Sequence, residues 1–280
     1  MTTSPESTTP ASASATVGDP AFAASLAEIV RLSRDVGDPA NDLVILAEGN
    51  TSVRTSGGRM LVKASGANLA TAVDDDFVEV ELEALMHLVR DGSGDDADVA
   101  TGLAAATTWG TKRPSVESLL HAVCQSIPAV TTVIHTHPTP VNALLCSRQA
   151  EALVAGSLFP DQIVVLGRHQ LLVPYVDPGL PLAHHVLTEI ERFTAENGTH
   201  PRVVYLRNHG MFALGTRSDE AVQITAMAVK SARVLLGALS AGGPVHLDQA
   251  NADRIDTRPD ELLRRRLLAE AADGSTPADH

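Results

Sequence analysis

Apolar positions recur at helical spacing from Phe22 through Leu26, Ile29, Val30 and Leu32, and Asp35 to Pro39 closes that helix, so ordered structure is expected to begin near Phe22. Leu43 to Leu46 is a short apolar run of strand type. Thr51 to Thr55, a Ser56-Gly57-Gly58 turn and Met60 to Lys63 read as a strand pair. Phe77 to Leu82 predicts a strand and Glu83 to Arg90 a helix, followed by an acidic, glycine-bearing surface loop over Asp91 to Val99. Ser115 is expected to start a helix that runs to about Ser126. Ala129 to His137 is a β-branched strand, and Val141 to Ser147 predicts a helix. Ile163 to Leu166 and Leu171 to Val173 read as strands, and Leu182 to Glu196 as a helix. Arg202 to Arg207 and Met211 to Leu214 form a hairpin pair, and Asp219 to Leu239 a long alanine-rich helix. Hairpins are frequent and no glycine-rich dinucleotide fingerprint follows a strand. The pattern therefore predicts an α/β sandwich around a mainly antiparallel sheet, without internal repeats.

Composition narrows the function. The 280 residues are 44% hydrophobic and 20% charged, an ordinary globular balance. A formal net charge of −13 with only eight aromatic residues argues against a nucleic-acid partner, which needs clustered cations and stacking platforms. An anionic substrate would have to meet a local site. Cys124 and Cys146 make no disulfide framework, which suits a cytoplasmic protein. No run of 18 apolar residues exists, so no membrane span is expected. The Ser/Thr/Ala/Pro-rich residues 1–20 read as a disordered leader, 21–268 as a single domain and 269–280 as a loose tail.

The candidate chemistry centres on His135-Thr136-His137. Strand alternation turns both imidazoles to one face, where two neutral nitrogens could grip a borderline cation such as Zn²⁺. The best third ligand is His209, at the end of another strand and followed by Gly210, which allows a tight turn. An isolated His-x-His is also common as an ordinary surface or core pair. His184 and His185, adjacent on a helix, diverge by about 100° and read as solvated or partly packed; His169 and His200 read as loop residues. In Pro114-Ser115-Val116-Glu117, Ser115 is a candidate cap with Glu117 in the first turn, and Glu117 could pair with His121 on one helix face. Alternatively Glu117 lies near the cation as an acid/base. The loops Glu48-Gly49-Asn50-Thr51-Ser52 and Lys63-Ala64-Ser65-Gly66 offer free amides and hydroxyls that could hold phosphate oxygens, though such residues also make ordinary turns. Lys63 and Arg113 are the nearby cations by sequence.

Taken in order, Gly49-Asn50-Thr51-Ser52-Val53-Arg54, Ser65-Gly66, Pro114-Ser115-Val116-Glu117, His135-Thr136-His137-Pro138 and Asn208-His209-Gly210 resemble the class II aldolase/adducin family over about Phe22 to Gly237. Val62 to Ala72 and Val173 to Gly179 look most like the aldolase half of bifunctional rhamnulose-phosphate aldolase/alcohol dehydrogenases. The chain is too short to carry their second, dinucleotide-binding half.

The resemblance implies a three-layer α/β/α sandwich and a homotetramer with active sites at subunit interfaces. It implies Zn²⁺, or another divalent cation such as Mn²⁺ or Co²⁺, held by His135, His137 and His209, with Glu117 as the acid/base. Gly49, Asn50, Ser65, Gly66 and Ser115 fall where the family binds its substrate's phosphate. The implied activity is an aldolase cleaving or forming a carbon–carbon bond in a ketose 1-phosphate or related hydroxy-ketone through an enediolate. The same histidines serve the family's decarboxylases, dehydratases and pentulose-phosphate 4-epimerases; adducin-like interaction modules lack the full set. Two departures stand out. Val116 replaces the second serine common in fuculose-type enzymes, and no tyrosine lies between Pro138 and Leu172; Tyr175 is a candidate substitute for the residue that handles the aldehyde oxygen's proton and reads equally as a packed strand residue.

Overall fold

The computed structural model describes residues 19–259. The expected leader and tail lie outside these residues, apart from Asp19 and Pro20. Helix α1 (Pro20–Gly37) starts two residues before Phe22, because the Asp19 side chain accepts from the Ala21 amide and Pro20 suits the first turn. Strands β1 (Asn50–Thr55), β2 (Arg59–Lys63) and β3 (Phe77–Glu81) follow, then α2 (Leu82–Asp91), α3 (Asp96–Ala105) and β4 (Thr107–Trp109). Next come α4 (Ser118–Gln125), β5 (Thr132–Thr136), α5 (Thr139–Leu145), α6 (Pro160–Leu166) and β6 (Leu171–Val173). The chain continues through α7 (Leu180–Asn197), β7 (Val203–Leu206), β8 (Gly210–Gly215), α8 (Ser218–Ser240) and α9 (Gln249–Thr257).

One eight-stranded sheet runs in the order β4-β3-β2-β1-β5-β8-β7-β6. Every pairing is antiparallel except β6 with β7. Alternate residues feed two cores. Met60, Val62, Val133, Phe212 and Leu214 face the layer of α2, α4 and α7. Leu61, Ile134, Tyr205, Met211 and Ala213 face α1, α5 and α8. The result is the three-layer α/β/α sandwich. Each fully buried Leu, Val or Phe contributes roughly 1.5–3 kcal/mol, so both faces hold the sheet firmly. Among the described residues α8 is the one helix long and apolar enough, by length and composition, to cross a membrane. Its Ala221, Ile224, Ala228, Ala232 and Leu235 pack against the sheet layer.

Four local expectations are corrected. Leu43 to Leu46 is a turn bracketed by the left-handed residues Asp42 and Leu46, with the Glu48 carboxylate accepting from the Ile45 amide at 3.1 Å. Ile163 to Leu166 belongs to α6, since Pro160 and Gly167 bound a run that length alone did not assign. The acidic segment is not all loop: Asp95 and Asp98 form a reciprocal cap that starts α3. Ser115 makes a turn before α4, its Oγ accepting from the Glu117 amide at 3.3 Å, and α4 begins only at Ser118.

Candidate metal centre

His135 projects from β5 onto the α4 side of the sheet, in register with Asn50 on β1 and Phe212 on β8. Directly paired residues of antiparallel strands share a face, so the three side chains stand in a row. Phe212 stacks on the His135 ring, with centroids 4.1 Å apart and planes 13° from parallel. The Nδ1–H of His135 donates to the Met211 carbonyl at 3.0 Å, which leaves the Nε2 lone pair for a ligand.

His137 lies one residue beyond the end of β5. Its amide donates to the Leu43 carbonyl at 2.9 Å, so the misread apolar turn anchors the strand's end. Nε2 of His137 lies 3.0 Å from Nε2 of His135, and its Nδ1 faces Glu48 Oε2 at 3.6 Å. His209 enters from the β7–β8 hairpin. Asn208 takes the left-handed turn conformation expected of Gly210, and Asn142 of α5 donates to the His209 carbonyl at 3.0 Å. Gly210 serves a different need: a Cβ there would meet His137 Cδ2 at 2.4 Å and the Thr136 carbonyl at 2.6 Å. Only glycine lets the hairpin approach the rings that closely. Gly49 serves similarly just before β1, with φ +70° and a Cβ position 2.8 Å from the His135 carbonyl.

The three imidazoles converge with ligand nitrogens within 4.8 Å of one another. Three nitrogen donors, one already fixed in its tautomer, fit a borderline divalent cation such as zinc.

Glu117 meets this cluster from the N-terminal end of α4. Its Oε1 is 3.3 Å from His135 Nε2 and 3.2 Å from His209 Nε2, while the Asn50 side-chain amide donates to Oε2. Burial pushes the carboxyl up, but the charge and hydrogen bonds of His135 and His209 outweigh it and hold Glu117 well below the ordinary carboxylate range. His137 is pushed down to about 3, first by burial and then by its two histidine neighbours. The helix pairing expected between Glu117 and His121 does not form; His121 is fully buried and bonds Ser52 at 2.8 Å.

The remaining candidates divide. Asn50 is buried against Glu117, Ser115 adjoins it by one residue, and Ser65 and Gly66 are exposed in a turn tied through the Ser65 amide to the Arg113 carbonyl at 2.9 Å. Lys63 pairs with Phe77 on the α1 side of the sheet, the face opposite His135. Its ammonium donates to the carbonyls of Ala47 at 3.0 Å and Ala67 at 2.7 Å, bridging the two small-residue loops from within. Burial lowers the Lys63 pKa against the opposing pull of Glu117 and Asp76. The Arg113 side chain is exposed. Tyr175 is 54% exposed and donates its hydroxyl to Asp177 at 3.0 Å. Its loop returns to the site at Gly179, whose Cβ position lies 3.9 Å from the Val116 side chain; Val116 itself is 40% exposed. Phe212 and Gln125 belonged to no candidate motif. Ser52 stood in the Glu48-Gly49-Asn50-Thr51-Ser52 loop, but its contact with His121 on α4 was not expected from the sequence.

The chain is similar in sequence and fold to several known proteins. A curated relative from Bacillus subtilis (strain 168), described as uncharacterized oxidoreductase YuxG, is 28% identical over 66% of this chain and 26% of its own length. A rhamnulose-1-phosphate aldolase of Mannheimia succiniciproducens is 32% identical over 58% of this chain and 48% of its own length. A methylthioribulose-1-phosphate dehydratase of Pseudomonas syringae pv. syringae is 31% identical over 46% of this chain and 65% of its own length. The chain thus spans from about a quarter to just under two thirds of these relatives. Among solved structures, an L-fuculose 1-phosphate aldolase superposes with a TM-score of 0.64 at 19% identity, over 83% of this chain and 94% of that one. The family profile described as Class II Aldolase and Adducin N-terminal domain matches residues 27–236. With the profile covering most of the chain and the sandwich matching aldolase structures, the protein belongs to the class II aldolase and adducin N-terminal domain family.

Proposed function

We propose that the protein is a divalent-metal-dependent lyase that cleaves or forms a carbon–carbon bond in a ketose 1-phosphate or related hydroxy-ketone. The observation that carries this reading is the Glu117 carboxylate, held within 3.3 Å of two of three converging histidines and fixed from behind by Asn50. His135, His137 and His209 would hold the cation. When bound, it supplies Lewis acidity to the substrate's carbonyl and neighbouring hydroxyl oxygens.

The protein's own groups do the rest. Glu117 is the ionised base that takes the proton from the carbon beside the carbonyl when a bond is to be made. In cleavage the hydroxyl proton of the carbon that becomes the aldehyde passes to water, and the bonding pair stays with the hydroxy-ketone fragment. That fragment's carbon then takes up a proton relayed from water through Glu117, which ends ionised as it began. The Gly49-Asn50 and Ser65-Gly66 loops with Ser115 would grip a distal phosphate, whose binding energy positions the reacting bond.

A second reading is a dehydratase, decarboxylase or epimerase built on the same residues. It draws on Val116, an exposed apolar side chain one residue from Ser115, and on the dehydratase among the relatives. An adducin-like interaction module would have no use for Glu117 buried beside three histidines. We also propose a cytoplasmic homotetramer. Ile45 and Leu46, 65% and 79% exposed on the turn beside the site, are apolar surface that a neighbouring subunit could cover.

The deciding experiment measures metal content, then incubates the loaded protein with a panel of ketose 1-phosphates and assays dihydroxyacetone phosphate. Release of that product supports the aldolase. Bound metal with loss of water, carbon dioxide or stereochemistry instead moves the reading to the second class, and no metal after zinc addition refutes both.

A further inference from the structure

We infer that Ser52 is a positioning residue that sets the height of Glu117 over the histidine cluster, a conclusion that rests on the acid/base reading of Glu117. Strand β1 and helix α4 meet along a polar seam inside an otherwise apolar core. On β1, the alternate residues Asn50, Ser52 and Arg54 face α4. On the helix side Glu117, His121 and Gln125 recur every four residues. The Asn50 amide donates to Glu117, Ser52 Oγ meets His121 Nδ1 at 2.8 Å, and Gln125 Nε2 donates to Ser52 Oγ at 2.7 Å. At the far end the Arg54 guanidinium donates to the carbonyls of Gln125, Ile127 and Pro128, which close the helix.

The two repeats match in length. Four residues of α-helix rise about 6 Å, and two residues of strand about 6.6 Å. Each partner on one element therefore finds its counterpart on the other without distortion. A shift of α4 by one residue would move it about 1.5 Å and turn the ridge by about 100°, breaking every contact at once. Ser52 is the centre of this seam, because its single oxygen serves two α4 side chains that are fully buried. Burial holds His121 down, near a pKa of about 3, so it is a neutral ring. Ser52 Oγ thus shares one hydrogen bond with His121 Nδ1 and accepts a second from Gln125 Nε2. The metal ligands lie on β5 and the β7–β8 hairpin, so the seam governs Glu117 and not the cation-binding set.

The test compares Ser52→Ala with the milder Gln125→Met, which keeps side-chain size but removes one donor. In metal-free protein the Asn50 side-chain amide resonances report its bond to Glu117 without substrate or cation. They are expected to shift in both variants. In loaded enzyme, metal stays at one per chain, KM changes by less than about threefold, and kcat falls on the order of 10–100-fold in Ser52→Ala. Ser52→Thr, which restores the hydroxyl, recovers most of that loss. A folded Ser52→Ala or Gln125→Met with unmoved Asn50 resonances and wild-type kcat, differing only in Tm, overturns the inference. If wild-type protein turns over no hydroxy-ketone, the lyase reading fails, and the amide shift still decides whether the seam positions Glu117.

Discussion

The amide of Asn50 reaches across 67 positions of sequence to hold the carboxylate of Glu117, while the other oxygen of that carboxylate is shared between His135 and His209. Glu117 lies outside its own helix, at the cap position of α4, so none of its oxygens is spent on capping. That freedom lets the carboxylate serve a site built by other strands.

Replacing Glu117 by Gln keeps the size and the Asn50 contact but removes the base. Metal content is expected to stay at one per chain while kcat falls by about 10²- to 10⁴-fold. Elemental analysis alongside turnover checks both halves; an unchanged rate with metal retained would remove Glu117 from the chemistry.

Each histidine is expected to be needed for the cation. His135→Ala and His209→Ala should leave well under one metal per chain after dialysis, with far-UV circular dichroism unchanged. Gly210→Ala should do the same for a steric reason, since its Cβ would enter the space of the His137 ring. Overpacking of this kind costs about 1–3 kcal/mol, visible as a lower Tm. Full metal occupancy in Gly210→Ala would count against the close approach.

The Asp76 carboxyl tests acid stability away from the site. Burial pushes it up, but the hydrogen bond and charge of Lys112, 2.6 Å away, and the Val73 amide hold it below its ordinary value of 3.8. A lowered carboxylate contributes stability that is present above pH 3.8 and disappears as pH falls through its folded value. Lys112→Met should therefore be less stable than wild type at neutral pH, and the gap should close as pH falls through the lowered folded-state pKa of Asp76. Denaturant melts at pH 7 and pH 2.5 measure it; a gap that persists in acid contradicts the assignment.

Cys124 and Cys146 should separate by reactivity. Burial pushes the Cys124 thiol up to about 12, whereas Cys146 is exposed. A water-soluble thiol reagent is expected to label Cys146 alone in native protein and both thiols after unfolding. Rapid labelling of Cys124 in the native state would show that the α4 layer opens.

Much of this arrangement was legible in the sequence because its rules are local. The alternation at His135 and His137 gave a shared face, and Asn50, Glu117 and His209 fell in short blocks of recognisable order. What escaped was set by partners far along the chain. Leu43 to Leu46 carries a strand's composition, yet Asp42 and Leu46 turn left-handed and the Leu43 carbonyl meets His137. His121 looked like a helix-face partner for Glu117 until β1 supplied Ser52. Lys63 stood out in the sequence as a cation near the small-residue loops; strand parity places it on the α1 face, where its ammonium ties those loops together from beneath.

The order of the strands also fixes when the site can exist during synthesis. β5 lies between β1 and β8, and His135 draws its ring-fixing acceptor, Met211, from 76 positions downstream. A nascent chain that has released His137 holds only two of the three histidines, with neither the hairpin nor its glycine yet made. Long loops must close before the three imidazoles converge, which places assembly of the cluster late in folding rather than at its nucleus. Any premature end before His209 therefore yields a chain with two neighbouring histidines and no third imidazole to meet them.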